Sequence, residues 1–197
     1  MSVLRAFIAL DLSLEIYQRL EQVLVDLRAR PMADAVRWVP ARNIHLTIKF
    51  LGDVSLSSLD LLKRMLQTEA ARHPAFEISV GELGAFPSLR RPRVVWVGVE
   101  APPELAALQH GVEVEMARLG YPPEERPFSP HLTLGRVARN AGPDEQQRLS
   151  SMLAACKVGF LGAARLQAVH LYRSDLQPGG SVYTKLFSAP LAAPTAA

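Results

Sequence analysis

The tetrapeptide His45-Leu46-Thr47-Ile48 occurs a second time in this chain, as His131-Leu132-Thr133-Leu134. The chain has 197 residues and five histidines, and two of those histidines begin the two copies. We therefore interpret the pattern as an internal repeat. Alternating polar and aliphatic residues are typical of a β-strand with one buried face. Each copy predicts a strand that presents an imidazole and a hydroxyl on one face and packs its aliphatic side chains into a core on the other.

The hydrophobic pattern outside the two motifs predicts four helices separated by strands. Each half of the chain contributes two helices and one His-x-Thr strand, which indicates two similar α+β lobes rather than a doubly wound sheet. We expect one bilobal domain over residues 1–189, followed by a flexible C-terminal tail over residues 190–197 that has little to bury.

The composition limits the class of protein. With 49% hydrophobic residues the chain can form a large core, yet no apolar run is long enough to span a membrane, and the N-terminus lacks a signal pattern. The single cysteine, Cys156, excludes an internal disulfide and fits a reducing compartment; its spacing in a helix predicts a buried thiol. These features favour a cytoplasmic protein.

The net charge is only +3, but arginines cluster in the segments beside the motif strands. Such residues can simply be solvated, and they would also suit a ligand that carries phosphate. The clustered arginines are Arg37, Arg42, Arg90, Arg91, Arg93, Arg136 and Arg139.

Two imidazoles that face one substrate suit concerted acid–base catalysis. Because the ordinary pKa of histidine is near 6.5, one ring can be neutral while its partner is protonated near pH 7. One ring could accept a proton from water while the other donates a proton to a leaving oxygen. Thr47 and Thr133 could hold non-bridging oxygens, and an arginine could balance the growing charge. A phosphodiester, above all a strained cyclic phosphate, matches this set of groups best.

The motifs also allow three other interpretations: a zinc site, a catalytic triad, and histidines that are satisfied within a core. Two histidines can bind zinc, but a catalytic zinc site usually takes a third protein ligand, and no Asp, Glu or Cys stands at a repeated offset from the pair. No serine lies in a nucleophile-elbow context, so a catalytic triad is disfavoured. The histidines could also be satisfied residues of a core, which would suit a single His-x-Thr segment better than a duplicated one.

The motifs and their surroundings resemble the two-histidine phosphoesterase superfamily, and within it the bacterial and archaeal RNA 2′,3′-cyclic phosphodiesterases, also called the 2′-5′ RNA ligase family. The resemblance covers almost the whole chain. It rests on segments 5–10, 38–40, 43–52, 84–87, 92–98, 130–136, 171–174 and 179–180 together with Tyr183.

This resemblance implies a pseudo-symmetric fold in which two mainly antiparallel sheets face a central groove, with helices outside and with no metal or other cofactor. It implies hydrolysis of RNA 2′,3′-cyclic phosphate ends to 2′-phosphomonoesters, with reversible 2′-5′ ligation as the same chemistry. His45 would be the proton donor and His131 the proton acceptor, assisted by Thr47 and Thr133.

The resemblance also extends to substrate binding, for which we expect Phe50, Arg93, Arg136 and Tyr183. The partner would be RNA with a cyclic phosphate end, tRNA-derived ends included, and the enzyme would act as a monomer away from membranes. Two alternatives remain open. One is a phosphodiesterase for a small cyclic phosphate, such as a nucleotide or ADP-ribose derivative; the other is a non-catalytic RNA-binding module of the same fold.

Overall fold

The computed structural model describes residues 2–100, 102–178 and 180–193. Within these ranges the chain forms four α-helices and nine β-strands, which confirms the α+β class. Their order is β1 (Val3–Leu10), α1 (Leu14–Arg28), β2 (Val36–Trp38), β3 (Leu46–Ser55), α2 (Leu59–Ala70), β4 (Phe76–Phe86), β5 (Val94–Glu100), α3 (Pro103–Arg118), β6 (His131–Val137), α4 (Pro143–Ala155), β7 (Phe160–Leu166), β8 (Ala168–Gln177) and β9 (Gly180–Pro190).

The strands form one antiparallel sheet whose order is symmetric about its middle. That order is β7-β4-β5-β6-β3-β1-β8-β9, with β2 added beside β6. The motif strands β3 and β6 are therefore the two central strands, and each is followed outward by three more. The junction between them is the pair Leu46–Leu132. The structure thus differs from the expectation of two separate sheets, because the motif strands join the two halves directly.

A β-bulge at the same motif position interrupts both central strands. The fourth motif residue, Ile48 in β3 and Leu134 in β6, has no partner in the strand on its outer side. A bulge inserts one extra residue and so changes the face of those that follow. Phe50 and Arg136 are consequently exposed on the face of the motif histidines, whereas Ile48 and Leu134 stay buried.

The opposite face of the sheet carries the core. Leu46 and Leu132 are fully buried there and belong to one hydrophobic cluster with the buried residues of all four helices. For α1 the apolar spacing predicts a helix capped by Ser13, and the structure confirms this: the Ser13 side chain accepts a hydrogen bond from the Ile16 N–H. The buried stripe is the predicted one, Ile16, Leu20, Val23, Leu24 and Leu27. The helices thus cover the aliphatic side of the motif strands and leave the imidazole side open. No helix in the described part of the chain is long and apolar enough to cross a membrane.

Three details differ from the sequence-based expectations. The sequence predicts that the first motif strand ends at Leu51, closed by Gly52 and Asp53. β3 instead continues to Ser55, because Gly52, with φ +69°, allows a second bulge beyond which pairing with β1 resumes. Cys156 ends α4 only half-buried, with its thiol donating to the carbonyl of Met152.

The third difference concerns the C-terminal tail. Pro190 belongs to β9, Leu191 is buried, and Ala192 exchanges backbone hydrogen bonds with residues 73 and 75, so the chain is packed well past residue 189. The rest of the expected tail, residues 194–197, lies outside the described residues, as does Gly179.

Candidate active site

Both motif histidines are held by the same local hydrogen bond. His45 lies immediately before β3, and its Nδ1 is 2.8 Å from the carbonyl oxygen of Asn43. His131 begins β6, and its Nδ1 is 2.8 Å from the carbonyl oxygen of Ser129. A carbonyl can only accept, so Nδ1 carries a proton and Nε2 of the neutral ring keeps its lone pair. Nε2 is therefore the atom of each ring that can exchange a proton with a substrate.

The register of the central strands brings the two motifs together. Leu46 lies opposite Leu132, and extending that register by one residue on either side sets His45 against Thr133 and Thr47 against His131. All four polar residues neighbour the central leucine pair and so face away from the core. The fold thereby places two imidazoles and two hydroxyls on one face, related by the approximate two-fold symmetry of the sheet.

Aromatic side chains support each imidazole from its own half of the sheet. The His45 ring stacks on Phe7 with centroids 4.6 Å apart, and the edge of Tyr183 lies at 5.2 Å. His131 has Phe86 edge-on at 4.9 Å and Trp96 at 6.4 Å. Contacts of this kind restrict the ring orientations, which a proton-transfer site requires.

The two histidines differ in the charges near them. Burial lowers the pKa of His45, while its bond to the Asn43 carbonyl and the negative charge of Asp11 act in the opposite direction. Burial also lowers the pKa of His131; there the Ser129 carbonyl opposes the shift, and the positive charge of Arg136 adds to it. His45 thus has an anion nearby and His131 a cation. The local charges favour the protonated form of His45 relative to that of His131.

A cleft on the His131 side can accommodate a ligand. Its volume is about 350 Å³, and Thr47, His131 and three phenylalanines, Phe50, Phe86 and Phe128, are among its lining residues. Hydroxyl, imidazole and aromatic faces thus border the same space, which suits a phosphate ester attached to a base that can stack.

Three exposed arginines lie on neighbouring segments near the end of β6. Arg136 of β6 is directly opposite Arg37 of β2, and both side chains are exposed. Arg93 immediately precedes β5, whose first residue pairs with Arg136. Among the described residues, no acidic group forms an ion pair with any of these three arginines. Like charges directly opposite each other destabilise a sheet, so such a cluster is better suited to binding an anionic ligand than to stabilising the fold.

The residues expected to bind substrate therefore fall in two groups. Tyr183 lies against His45, and Arg136 is close enough to influence His131. Phe50 lines the cleft together with His131, and Arg93 is exposed next to the Arg136 pairing. Their roles as ligand contacts remain predictions.

No three His, Cys, Asp or Glu side chains of the described residues form a group that could hold a metal ion. Metal independence remains a prediction of the two-histidine chemistry.

Three residues near His45 were not recognised from the sequence. Phe7 stacks on its ring, Tyr172 stacks on Phe7 at 5.3 Å and lies 6.3 Å from the His45 ring, and Asp11 accepts a 2.6 Å hydrogen bond from the Tyr172 hydroxyl. Phe7 and Asp11 are four positions apart and so share one face of an extended segment, which is a signal that the sequence offers. The pairing of β1 with both β3 and β8, which creates the contacts, is not readable from that spacing.

Comparisons with known proteins agree with this architecture. The family model described as the 2′-5′ RNA ligase superfamily matches residues 16–177. A protein of Methanothermobacter thermautotrophicus named RNA 2′,3′-cyclic phosphodiesterase is 36% identical over 183 residues, which cover 92% of this chain and 96% of that protein. An Escherichia coli protein of the same name is 33% identical over 183 residues, covering 92% and 93%.

Solved structures show the same relationship. The crystal structure of E. coli LigT complexed with 3′-AMP has a TM-score of 0.74 and 30% identity, covering 96% of this chain and 99% of that one. The TT0787 protein of Thermus thermophilus has a TM-score of 0.79 and 27% identity, covering 97% and 100%. Family model, curated relatives and solved structures agree over nearly the full length, so this chain belongs to the 2′-5′ RNA ligase superfamily.

Proposed function

We propose that this protein hydrolyses the 2′,3′-cyclic phosphate ends of RNA to 2′-phosphomonoesters by acid–base catalysis without a metal. The observation that carries the proposal is the pair of equivalent imidazoles, each with Nδ1 bound to a backbone carbonyl and Nε2 left to exchange a proton. The relatives named RNA 2′,3′-cyclic phosphodiesterase support the substrate class.

In the proposed reaction a water oxygen attacks phosphorus and the bond from phosphorus to the 3′ oxygen breaks. His131 Nε2 accepts the proton that water loses, and His45 Nε2 donates the proton that the 3′ oxygen gains. The charges near the rings support this division of labour, because a neighbouring anion favours protonated His45 and a neighbouring cation favours neutral His131.

When the Leu46–Leu132 register is continued by one residue, Thr47 lies beside His131 and Thr133 lies beside His45. Both hydroxyls can therefore donate hydrogen bonds to the non-bridging oxygens. Arg136 can balance the charge that grows on those oxygens in the transition state. When a ribose 5′-hydroxyl of a second RNA takes the place of water, the same step forms a 2′-5′ junction. Ligation therefore needs no additional residue.

We further propose that the substrate is an RNA end, tRNA-derived ends included, and that the enzyme acts as a cytoplasmic monomer. The exposed arginines Arg37, Arg93 and Arg136 near the end of β6 suit the phosphates of a polymer, and Phe50 offers an exposed ring for stacking a base. Tyr183 lies against His45, where it would contact the terminal ribose.

The decisive experiment is turnover of a short oligoribonucleotide with a 2′,3′-cyclic end in the presence of EDTA. The expected product carries a 2′-phosphate and a free 3′-hydroxyl, and the His131→Ala variant should not form it. A 2′,3′-cyclic mononucleotide serves as the second substrate. If the oligonucleotide is preferred and the preference weakens with salt, a polymer substrate is supported. Equal turnover of both would favour a small cyclic phosphate, and binding without turnover would overturn the enzymatic proposal.

A further inference from the structure

Asp11, near the His45 ring, has a carboxylate that accepts two short hydrogen bonds. Asp11 Oδ1 accepts from the Tyr172 hydroxyl at 2.6 Å, and Oδ2 accepts from Lys185 Nζ at 2.6 Å. Burial alone would raise the pKa of Asp11, but the hydrogen bonds from Lys185 and Tyr172 together with nearby positive charge outweigh burial, and the pKa is lowered. Asp11 is therefore a fixed negative charge at neutral pH.

This carboxylate is connected to His45 through Tyr172 and Phe7, whose rings stack on each other and both lie next to the His45 ring. Tyr172 lies parallel to Phe7, with centroids 5.3 Å apart and planes 11° from parallel, and Phe7 lies 4.6 Å from the His45 ring. The bond to Asp11 fixes the Tyr172 ring by its hydroxyl, and that ring also lies 6.3 Å from the His45 ring. Leu10 pairs with Leu46, so the same register continued by one residue also sets Asp11 opposite His45. Asp11 can therefore act on His45 in two ways: through the contacts of Tyr172 and Phe7, and from its position opposite His45 on the neighbouring strand.

The equivalent strand positions in the other half of the molecule lack the carboxylate. Gly98 of β5 is the residue that pairs with His131, and so it takes the place of Asp11. Phe86 of β4 occupies the position equivalent to Tyr172, since it pairs with β5 where Tyr172 pairs with β1. Phe86 has no hydroxyl that a carboxylate could bind.

A third equivalent pair of positions also differs in charge. Phe50 and Arg136 each follow the bulge of their strand by two residues, and only Arg136 is charged. A symmetric scaffold therefore carries an anion beside one histidine and a cation beside the other.

The remaining ionisable groups around His45 do not cancel this difference. Lys185 pairs with Asp11 and is 40% exposed, so water screens much of its charge. His170 has Nε2 3.6 Å from Asp11 and Nδ1 2.9 Å from the Ser188 hydroxyl, and burial lowers its pKa, which keeps it neutral. Burial and the bond to Asp11 raise the pKa of Tyr172, so it too is neutral.

We propose that Asp11 is a positioning residue for His45: through Tyr172 it holds the ring stack that orients the imidazole, and its negative charge makes His45 rather than His131 the ring that carries the proton. The catalytic consequence rests on the proposed function, because the acid role of His45 belongs to that reaction. Asp11 itself does not contact the reacting atoms.

The most direct test is an NMR titration of the histidine rings in the substrate-free protein. Asp11→Asn keeps the size and polarity of the side chain and removes its charge. We expect the titration midpoint of His45 to move to lower pH while that of His131 stays in place. Asp175→Asn is the matched control, since it removes another strand carboxylate that is paired with a cation, Arg173, and should move neither ring. An unmoved His45, or equal movement of both rings, would overturn the proposal.

Kinetics supply the second readout and separate positioning from general damage. On a cyclic-ended RNA, Asp11→Asn should lower kcat by roughly 10-fold or more with little change in KM, and should move the basic limb of the pH profile to lower pH. On a substrate whose 3′ leaving group needs no acid, the loss should disappear. An equal loss on both substrates would contradict the proposal.

Tyr172→Phe keeps the ring, removes the bond to Asp11, and remains informative if Asp11→Asn does not fold. It should lower kcat, but it should shift the titration midpoint of His45 less than Asp11→Asn does. A wild-type kcat would overturn the positioning role of the bond between Tyr172 and Asp11. If no cyclic phosphate is hydrolysed at all, the proposed function fails while the titration still decides the role of Asp11.

Discussion

The buried ion pair between Lys49 and Glu113 should contribute strongly to stability. Lys49 follows the first motif directly and is only 1% exposed, and its Nζ lies 2.6 Å from Glu113 Oε2 and 2.8 Å from the carbonyl oxygen of Pro122. Glu113→Gln keeps the shape of the side chain but leaves the ammonium buried without a counter-charge. Removing one partner of a buried pair typically costs about 3–5 kcal/mol. At about 2–4 °C per kcal/mol for a chain of this size, the melting temperature should fall by about 6–20 °C.

A double-mutant cycle tests that reasoning. Lys49→Met should cost less, because Glu113 is at the edge of the core and keeps its 3.3 Å hydrogen bond from Gln109. The double variant should lose clearly less than the sum of the two single losses, since no charge then remains buried. Urea unfolding at pH 7 gives the free energies of unfolding. A loss below about 1 kcal/mol for Glu113→Gln, or strictly additive losses, would refute the argument.

Three further predictions concern the histidines and threonines. His45→Ala or His131→Ala should each lower turnover by roughly 10²–10⁴-fold, and the double variant should lose little more, because the rings act as a unit; multiplying losses in steady-state assays would argue against a concerted pair. Thr47→Val and Thr133→Val should each cost about 1–3 kcal/mol in transition-state binding, read from kcat/KM, and unchanged values would remove the threonines from the reaction. Burial lowers the pKa of His45, His131 and His170 in the folded protein, so below about pH 6.5 the unfolded chain binds more protons than the folded one. The free energy of unfolding should therefore be constant above about pH 6.5 and fall as the pH drops below that value. Melting temperatures that stay flat from about pH 8 to about pH 5 would contradict this.

Much of this architecture could be predicted from the sequence because its signals are local. The duplicated His-x-Thr pattern identified both motif strands and the face on which the histidines lie. The apolar spacing of α1 and the capping serine before it identified that helix and its buried side. Periodicity and capping act within a few residues, so a single sequence is enough to detect them.

The features that could not be predicted depend on which strands are neighbours. The bulges at Ile48 and Leu134 bring Phe50 and Arg136 to the histidine face, although strict alternation would place both on the core side. Asp11 depends on β1 lying between β3 and β8, which no local pattern specifies. The same holds for the junction of the two halves, where the motif strands pair with each other.

In the proposed mechanism His45 acts as the acid and His131 as the base on one cyclic phosphate. The decisive measurement of these two roles is kcat/KM of the two alanine variants on a substrate with an activated leaving group at the 3′ position. Such a group departs without a proton, so it should restore the His45→Ala variant close to the wild-type rate and leave His131→Ala inactive. Rescue of His131→Ala with His45→Ala still inactive would exchange the two roles, and rescue of neither would contradict acid–base catalysis by this pair.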